Sequence, residues 1–279
     1  MRRTCFWIFP LLAILSCTIT LKGSTRIEKT LKLEPGGTVY LDTSGGDVRV
    51  RGAAESGARV VVTSTSDVER VYDLRFDEQP HAVRIEAHRR SPAGFWSNHI
   101  SLRFEIQVPK RTNLEIRTGG GDVRADELEG TFRMKTSGGD VETTDLRGNL
   151  DAETSGGDMR VRELKGDLRL HTSGGDIRAA GISGHVEVQS SGGDIEVDLA
   201  RGNAYGGDIE TSGGEIRVAL DPAVSLDLDA SAGGGDVHTD LPLTITGKVA
   251  ESSLRGTLGK GGQLLRLHSA GGDIRVRPL

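Results

Sequence analysis

A Gly-Gly-Asp corner returns at a fixed interval through the middle of this chain, and that interval limits the fold more than any other feature. Asp122, Asp140, Asp158, Asp176 and Asp194 each close the triplet, in steps of 18 residues. A repeat this short is one supersecondary unit that cannot bury a core alone, so its copies must stack. The series then loosens, to Glu215 and Asp236 at steps of 21 and to Asp273 after 37. The long last step reads as a coil with an insertion. An early copy, Thr43-Ser44-Gly45-Gly46-Asp47, stands apart near the start, and an extra triplet ends at Asp208.

Within one repeat the apolar positions have a period of two. Leu168, Leu170 and Thr172 alternate with polar neighbours, and Ile177 and Ala179 do the same after the glycines. That period predicts strands with one buried face. Each repeat is then two short strands, a Gly-Gly corner and a second corner near Gly166. Glycine accepts the positive φ of a sharp corner, and Asp bonds back to nearby backbone N–H groups. Three columns line up across the repeats: Leu114, Phe132, Leu150, Leu168, Val186; Ile116, Met134, Ala152, Leu170, Val188; and Val123, Val141, Met159, Ile177, Ile195. Stacked in register, they form a continuous core. An outward column, Glu115, Arg133, Asp151, Arg169, Glu187, alternates in sign and is expected to form a ladder of ion pairs. The fold class expected is all-β, a single-stranded β-solenoid (β-helix) with about 18–21 residues per coil. Two or three faces both fit. An up-and-down barrel does not, because hairpins would not keep one identical corner in every repeat.

Composition narrows the partners. Glycine is abundant (39 of 279 residues) and Pro scarce (8), with no three-residue period, which excludes collagen. Aromatics are 4%, so the core must use Leu, Val and Ile. The net charge of −5 argues against nucleic acid. The two cysteines, Cys5 and Cys17, lie in the first 17 residues, so neither a disulfide framework nor a Cys-based zinc site fits the rest. Residues 1–16 have a basic start and a short apolar run, the shape of a secretory signal peptide. Ile14-Leu15-Ser16-Cys17 resembles a bacterial lipobox, in which cleavage leaves Cys17 as a lipidated first residue. Cleavage a few residues later, or retention as an anchor, are the alternatives. The expected location is the cell envelope after export, with a lipid anchor at the outer membrane, facing the periplasm or the surface.

The domain reading is a signal peptide over 1–16, a short linker over 17–24, an irregular β region over 25–110 capping the solenoid, and solenoid repeats over 111–279. A segment with Phe95 and Trp96 interrupts two strands. It is a candidate contact loop for a partner, or a plug for the open end. Several motifs resemble a bacterial family called putative adhesin, a β-solenoid domain of unknown function. They are the Ser-Gly-Gly-Asp-Val/Ile strands, Asp240-Leu-Pro-Leu-Thr-Ile-Thr246, Leu254-Arg-Gly-Thr-Leu-Gly-Lys-Gly-Gly262, and the closing Leu265-Arg-Leu-His-Ser-Ala-Gly-Gly-Asp-Ile-Arg-Val276. The resemblance implies an envelope-associated, non-enzymatic protein and supplies no catalytic residues.

The Asp column (Asp122, Asp140, Asp158, Asp176, Asp194) is read as structural, each carboxylate bonding corner N–H groups. Calcium is the rival reading, since a column of carboxylates spaced by one strand repels itself. No catalytic, cofactor or metal residues are expected. The function expected is a non-enzymatic scaffold presenting a rigid repetitive surface to an envelope protein or glycan, with membrane contact through the lipid. A carbohydrate-active β-helix enzyme and an envelope-stress or self-association module are the alternatives.

Overall fold

A computed structural model describes residues 17–21, 24–53, 56–90, 101–245 and 250–279. Among these residues, two 13-stranded sheets face each other. The cross-section therefore has two faces. Each coil lays one strand in what we term the back sheet, turns at a Gly-Gly-Asp seam, and lays the next in the front sheet. Leu150–Thr154 and Met159–Lys165 form one such coil. Neighbouring coils pair in parallel and in register, Leu150 with Leu168 and Met159 with Ile177. The alternation anticipated from the sequence is the alternation of burial: Phe132, Leu150, Leu168 and Val186 are all buried, as are Val123, Val141, Met159, Ile177 and Ile195. Full burial of such a side chain contributes about 1.5–3 kcal/mol, and the columns repeat that gain at each coil.

Two further buried columns were not read from the sequence. One is Leu128, Leu146, Leu164, Ile182 and Leu199, just before the opposite seam. In the first four coils the residue ahead of it holds a left-handed backbone: Glu127 (φ 57), Asp145 (φ 50), Glu163 (φ 56) and Gly181 (φ 74). This local kink swings the leucine inward, at a cost that only glycine escapes. In the fifth, Leu199 follows Asp198 directly, and the register shifts there. The other is Ala125, Thr143, Val161, Ala179 and Val197. Among the described residues, Thr143 Oγ1 is the one buried side-chain polar atom without a hydrogen-bond partner.

The order of coils in space is not their order in the chain. The opening coil, Thr38–Thr43 with Asp47–Ala53, lies between the coil formed by Ala82–Arg89 with Leu102–Pro109 and the coil formed by Asn113–Thr118 with Val123–Glu129. At the other end, the closing coil, Gln263–Ser269 with Ile274–Pro278, slips between Gly207–Thr211 with Ile216–Leu220 and Leu226–Ala232 with Val237–Thr239. The step of 37 is thus not an elongated coil. Asp273 sits between Glu215 and Asp236 in space, and the early Asp47 adjoins Asp122. A boundary at 110 does not divide the molecule, because residues 38–53 belong to the regular stack.

Antiparallel strands finish both ends. Ser24–Leu31 and Ala58–Ser64 extend the front sheet beyond Leu102–Pro109, while Tyr72–Gln79 pairs antiparallel with Ala82–Arg89 in the back sheet. Ser253–Leu258 covers Leu226–Ala232 at the far end, and Thr244–Ile245 follows it. Residues 17–24, read as a linker, include the strand Cys17–Leu21, which pairs with Ser24–Leu31. Phe95 and Trp96 lie outside the described residues. No described helix is long and apolar enough to cross a membrane.

Candidate functional site: two seams and two charged faces

The corner chemistry follows from the phrase Thr-Ser-Gly-Gly-Asp, one residue at a time. The Thr points inward and is buried. Thr154 Oγ1 donates to the Gly139 carbonyl of the preceding coil at 3.0 Å and accepts the Gly157 N–H at 3.3 Å. Thr136, Thr172, Ser190, Thr211 and Ser269 repeat this double contact. The first Gly is open: a Cβ on Gly138 or Gly156 would meet nothing within 4 Å. The second Gly is jammed. A Cβ on Gly157 would stand 2.0 Å from the Gly139 carbonyl oxygen, and one on Gly175 2.0 Å from that of Gly157. Positive φ at this seam is confined to Gly46 and Gly121. In the regular coils the second glycine is therefore needed for close backbone approach rather than for φ > 0.

Each Asp of the regular column engages Oδ1 with the backbone of the next coil. Asp140 Oδ1 accepts the Asp158 N–H at 2.9 Å, Asp158 Oδ1 that of Asp176 at 3.0 Å, and Asp176 Oδ1 that of Asp194 at 3.0 Å. Asp122 accepts from Asp140 at 3.0 Å, and Asp47 accepts from Asp122 at 3.3 Å. Asp194 passes the chain to Glu215 at 2.9 Å, and Asp273 to Asp236 at 3.0 Å. The second oxygens face arginines: Arg160 lies 2.7 Å from Asp158 and 3.3 Å from Asp140, and Arg178 lies 3.1 Å from Asp176. This half-buried ladder ties each coil to the next. Repulsion between the carboxylates is offset by backbone N–H groups and guanidinium ions. Among the described residues, no group of three or more His, Cys, Asp or Glu is arranged to hold a metal ion.

The opposite seam carries a second, looser ladder, which sequence reasoning missed. Asn113 Oδ1 accepts the Thr131 N–H at 2.8 Å, Asn149 Oδ1 that of Asp167 at 3.2 Å, and Asp167 Oδ1 that of His185 at 3.0 Å. It yields in the wider coils. Segments 200–206 and 221–225 both enlarge coils here, and buried Asn203 closes the first by donating to the Ile182 and Gly184 carbonyls at 2.7 and 3.0 Å. The Asp208 triplet is not a corner. Asp208 lies on the back-sheet strand Gly207–Thr211 and pairs with Arg266 at 2.8 Å.

The outer faces present charged lattices. On the back sheet the column Glu115, Arg133, Asp151, Arg169, Glu187 continues through Asp208, Arg266, Asp229 and Arg255. Its sign alternates except where Glu187 adjoins Asp208. It is not a continuous ladder of ion pairs. Of the first five residues, only Arg169 and Glu187 come within reach of each other, at 2.6 Å; Glu115 turns to Arg117 instead, at 2.9 Å. An open depression of about 290 Å³ lies beside this column, among Arg133, Asn149, Asp151, Asp167, Arg169 and His185.

The front sheet carries a rule visible only in spatial order. Its outward column reads Glu105, Arg49, Arg124, Glu142, Arg160, Arg178, Glu196, Arg217 and Arg275: one acid, then two arginines, three times over. Arg49 and Arg275 come from the opening and closing coils. Beside this column, Arg51 of the opening coil holds Glu127 at 2.5 Å. That hydrogen bond and the adjacent positive charge keep the Glu127 carboxyl below its ordinary range.

These features define a two-faced parallel β-solenoid with antiparallel ends. The chain belongs to the Toastrack DUF4097 family, which matches residues 37–277. Among solved structures, a putative adhesin from Bacteroides fragilis is similar over 91% of this chain and 97% of its own, with TM-score 0.52 and 13% identity, which shows a shared fold. A putative lipid binding protein from Parabacteroides distasonis aligns over 90% of this chain and 96% of its own (TM-score 0.44, 13% identity). A putative cell adhesion protein from Clostridium sporogenes aligns over 90% and 99% (TM-score 0.31, 16% identity). No curated protein matches the chain.

Proposed function

We propose that this protein is a non-enzymatic envelope scaffold that offers a rigid, repetitive polar surface to a glycan or protein partner. The observation that carries this reading is the outer lattice. Charged and amide side chains repeat at the strand spacing, about 4.8 Å, on strands fixed from both sides. The back-sheet depression adds donors (Arg133, Arg169, Asn149) beside acceptors (Asp151, Asp167), a set suited to hydroxyl groups. Similarity to the Bacteroides fragilis protein called a putative adhesin agrees with a binding role. In this reading Cys17 carries a lipid after export. Its strand pairs directly with Ser24–Leu31, which would hold the antiparallel end of the solenoid close to the bilayer.

The test pairs lipid labelling of wild type and Cys17→Ala with protease shaving of intact cells. The expected result is a label that disappears in Cys17→Ala. Accessibility to protease would place the surface outside the cell, and protection would place it in the periplasm. A chain that is never labelled would remove the anchor. Turnover of envelope polysaccharide by the purified protein would overturn the scaffold reading.

A further inference from the structure

The closing coil fills a slot made by other parts of the chain. Segment 221–225 carries the backbone past one coil position, leaving a gap between Gly207–Thr211 and Leu226–Ala232 in the back sheet and between Ile216–Leu220 and Val237–Thr239 in the front sheet. Gln263–Ser269 and Ile274–Pro278 fill both gaps and bond on both sides. Leu265, Leu267, Ser269 and Ile274 are wholly buried there. The slot is selective. Its occupant needs alternating apolar residues, an inward hydroxyl and a glycine at the jammed position, because a Cβ on Gly272 would stand 2.4 Å from the Gly214 carbonyl oxygen. The closing coil has all of these, and its Arg266 makes the matching ion pair with Asp208.

The tether is short and glycine-rich. Residues 259–262, Gly-Lys-Gly-Gly, cross over the start of Leu226–Ala232, with Gly259 (φ 62) and Gly261 (φ 74) left-handed. Lys260 N–H donates to Ser225 Oγ at 3.1 Å, and Gly262 N–H donates to Asp227 Oδ2 at 3.3 Å. The opening coil differs. It is flanked by Ser24–Leu31 and Ala58–Ser64, both woven into the front sheet, whereas residues 259–262 tie the closing coil to the strand before it. We propose that the closing coil is exchangeable between copies of this chain: the slot of one molecule accepts Gln263–Pro278 of a second. Every strand pairing and buried contact of the coil is the same in the closed and exchanged forms, so the tether decides between them.

The test uses the full chain with Lys260, Gly261 and Gly262 deleted. The two remaining links reach about 7 Å, short of the two strand widths of about 9.6 Å between Leu258 and Gln263 on either side of Leu226, so the coil enters a neighbour's slot. Light scattering should then show a doubled mass with a far-ultraviolet spectrum and melting profile like wild type. Adding Gly272→Val to the deletion should abolish the dimer. A native monomer in the deletion variant, or a dimer that survives Gly272→Val, overturns the proposal. If the deletion variant fails to fold, hydrogen exchange on the wild type decides. Amides of 263–278 should open together and exchange at least tenfold faster than those of Met159–Lys165; equal rates would overturn the proposal.

Discussion

The two seams of this solenoid solve the same problem by different means. At the Gly-Gly-Asp seam, backbone meets backbone so closely that no Cβ fits at the second glycine, and Thr and Asp then bond to the coil before and after. At the opposite seam, a left-handed residue turns a leucine inward, an Asn/Asp ladder does the bonding, and the glycine is jammed as well: a Cβ on Gly148 would stand 1.9 Å from the Gly130 carbonyl oxygen, and one on Gly166 2.3 Å from that of Gly148. Segments 200–206 and 221–225 are accommodated at the second seam, where the chain also enters and leaves the opening coil. Even across the 21-residue step, Glu215 N–H still reaches Asp194 Oδ1 at 2.9 Å. Both edges are close-packed in the regular coils, and the longer segments are taken up at the second alone.

A sharper contrast lies within the Gly-Gly-Asp seam, between its two glycines. Gly157→Val should cost more than about 3 kcal/mol, since the collision is with backbone that cannot yield. Gly156→Ala, one residue earlier, should change stability by less than about 1 kcal/mol. Chemical denaturation of the pair measures both, and similar losses would break the distinction between an open and a jammed position.

This asymmetry explains what could be read in the sequence. The period of 18 was legible because the jammed glycine tolerates no substitute, and the apolar columns followed from alternation. The second ladder was not legible. Asn113, Asn149 and Asp167 look like any surface residues, and His185 continues the series using only its backbone N–H. The order of the coils was hidden for another reason. Each coil presents the same register to its neighbours, so nothing local says that Asp47 adjoins Asp122 or that Asp273 precedes Asp236. The two-arginine rule of the front sheet was lost with that order. The ion-pair ladder failed because a long side chain can turn along its own strand, as Glu115 does toward Arg117, as easily as across to the next.

The ladders offer a finer comparison. Asp158→Ala removes the acceptor for the Asp176 N–H and the partner of Arg160, and should cost about 1–3 kcal/mol. Asn149→Ala removes one exposed acceptor and should cost about 0.5–1 kcal/mol. Thermal melts that rank the two the other way would show that the looser seam carries the greater share. The smallest effect is a gain. Asp145 is exposed and left-handed at φ 50, where Gly181 stands two coils on. Asp145→Gly should therefore stabilise by up to about 1 kcal/mol. A loss would mean that the flexibility added to the unfolded chain outweighs the relieved strain.

The intercalated coils also make the molecule a gauge of adjustable length. Each end is built from segments distant in sequence, so adding or removing residues there would misplace several strands at once. Between Asn113 and Ile182 the coils share one register and both seams. Duplication of a single 18-residue block in that span would lengthen the body by about 4.8 Å, continue every column and both ladders, and leave the two ends as they are. Growth is confined to the middle, and the distance between the ends can be set in strand-width steps.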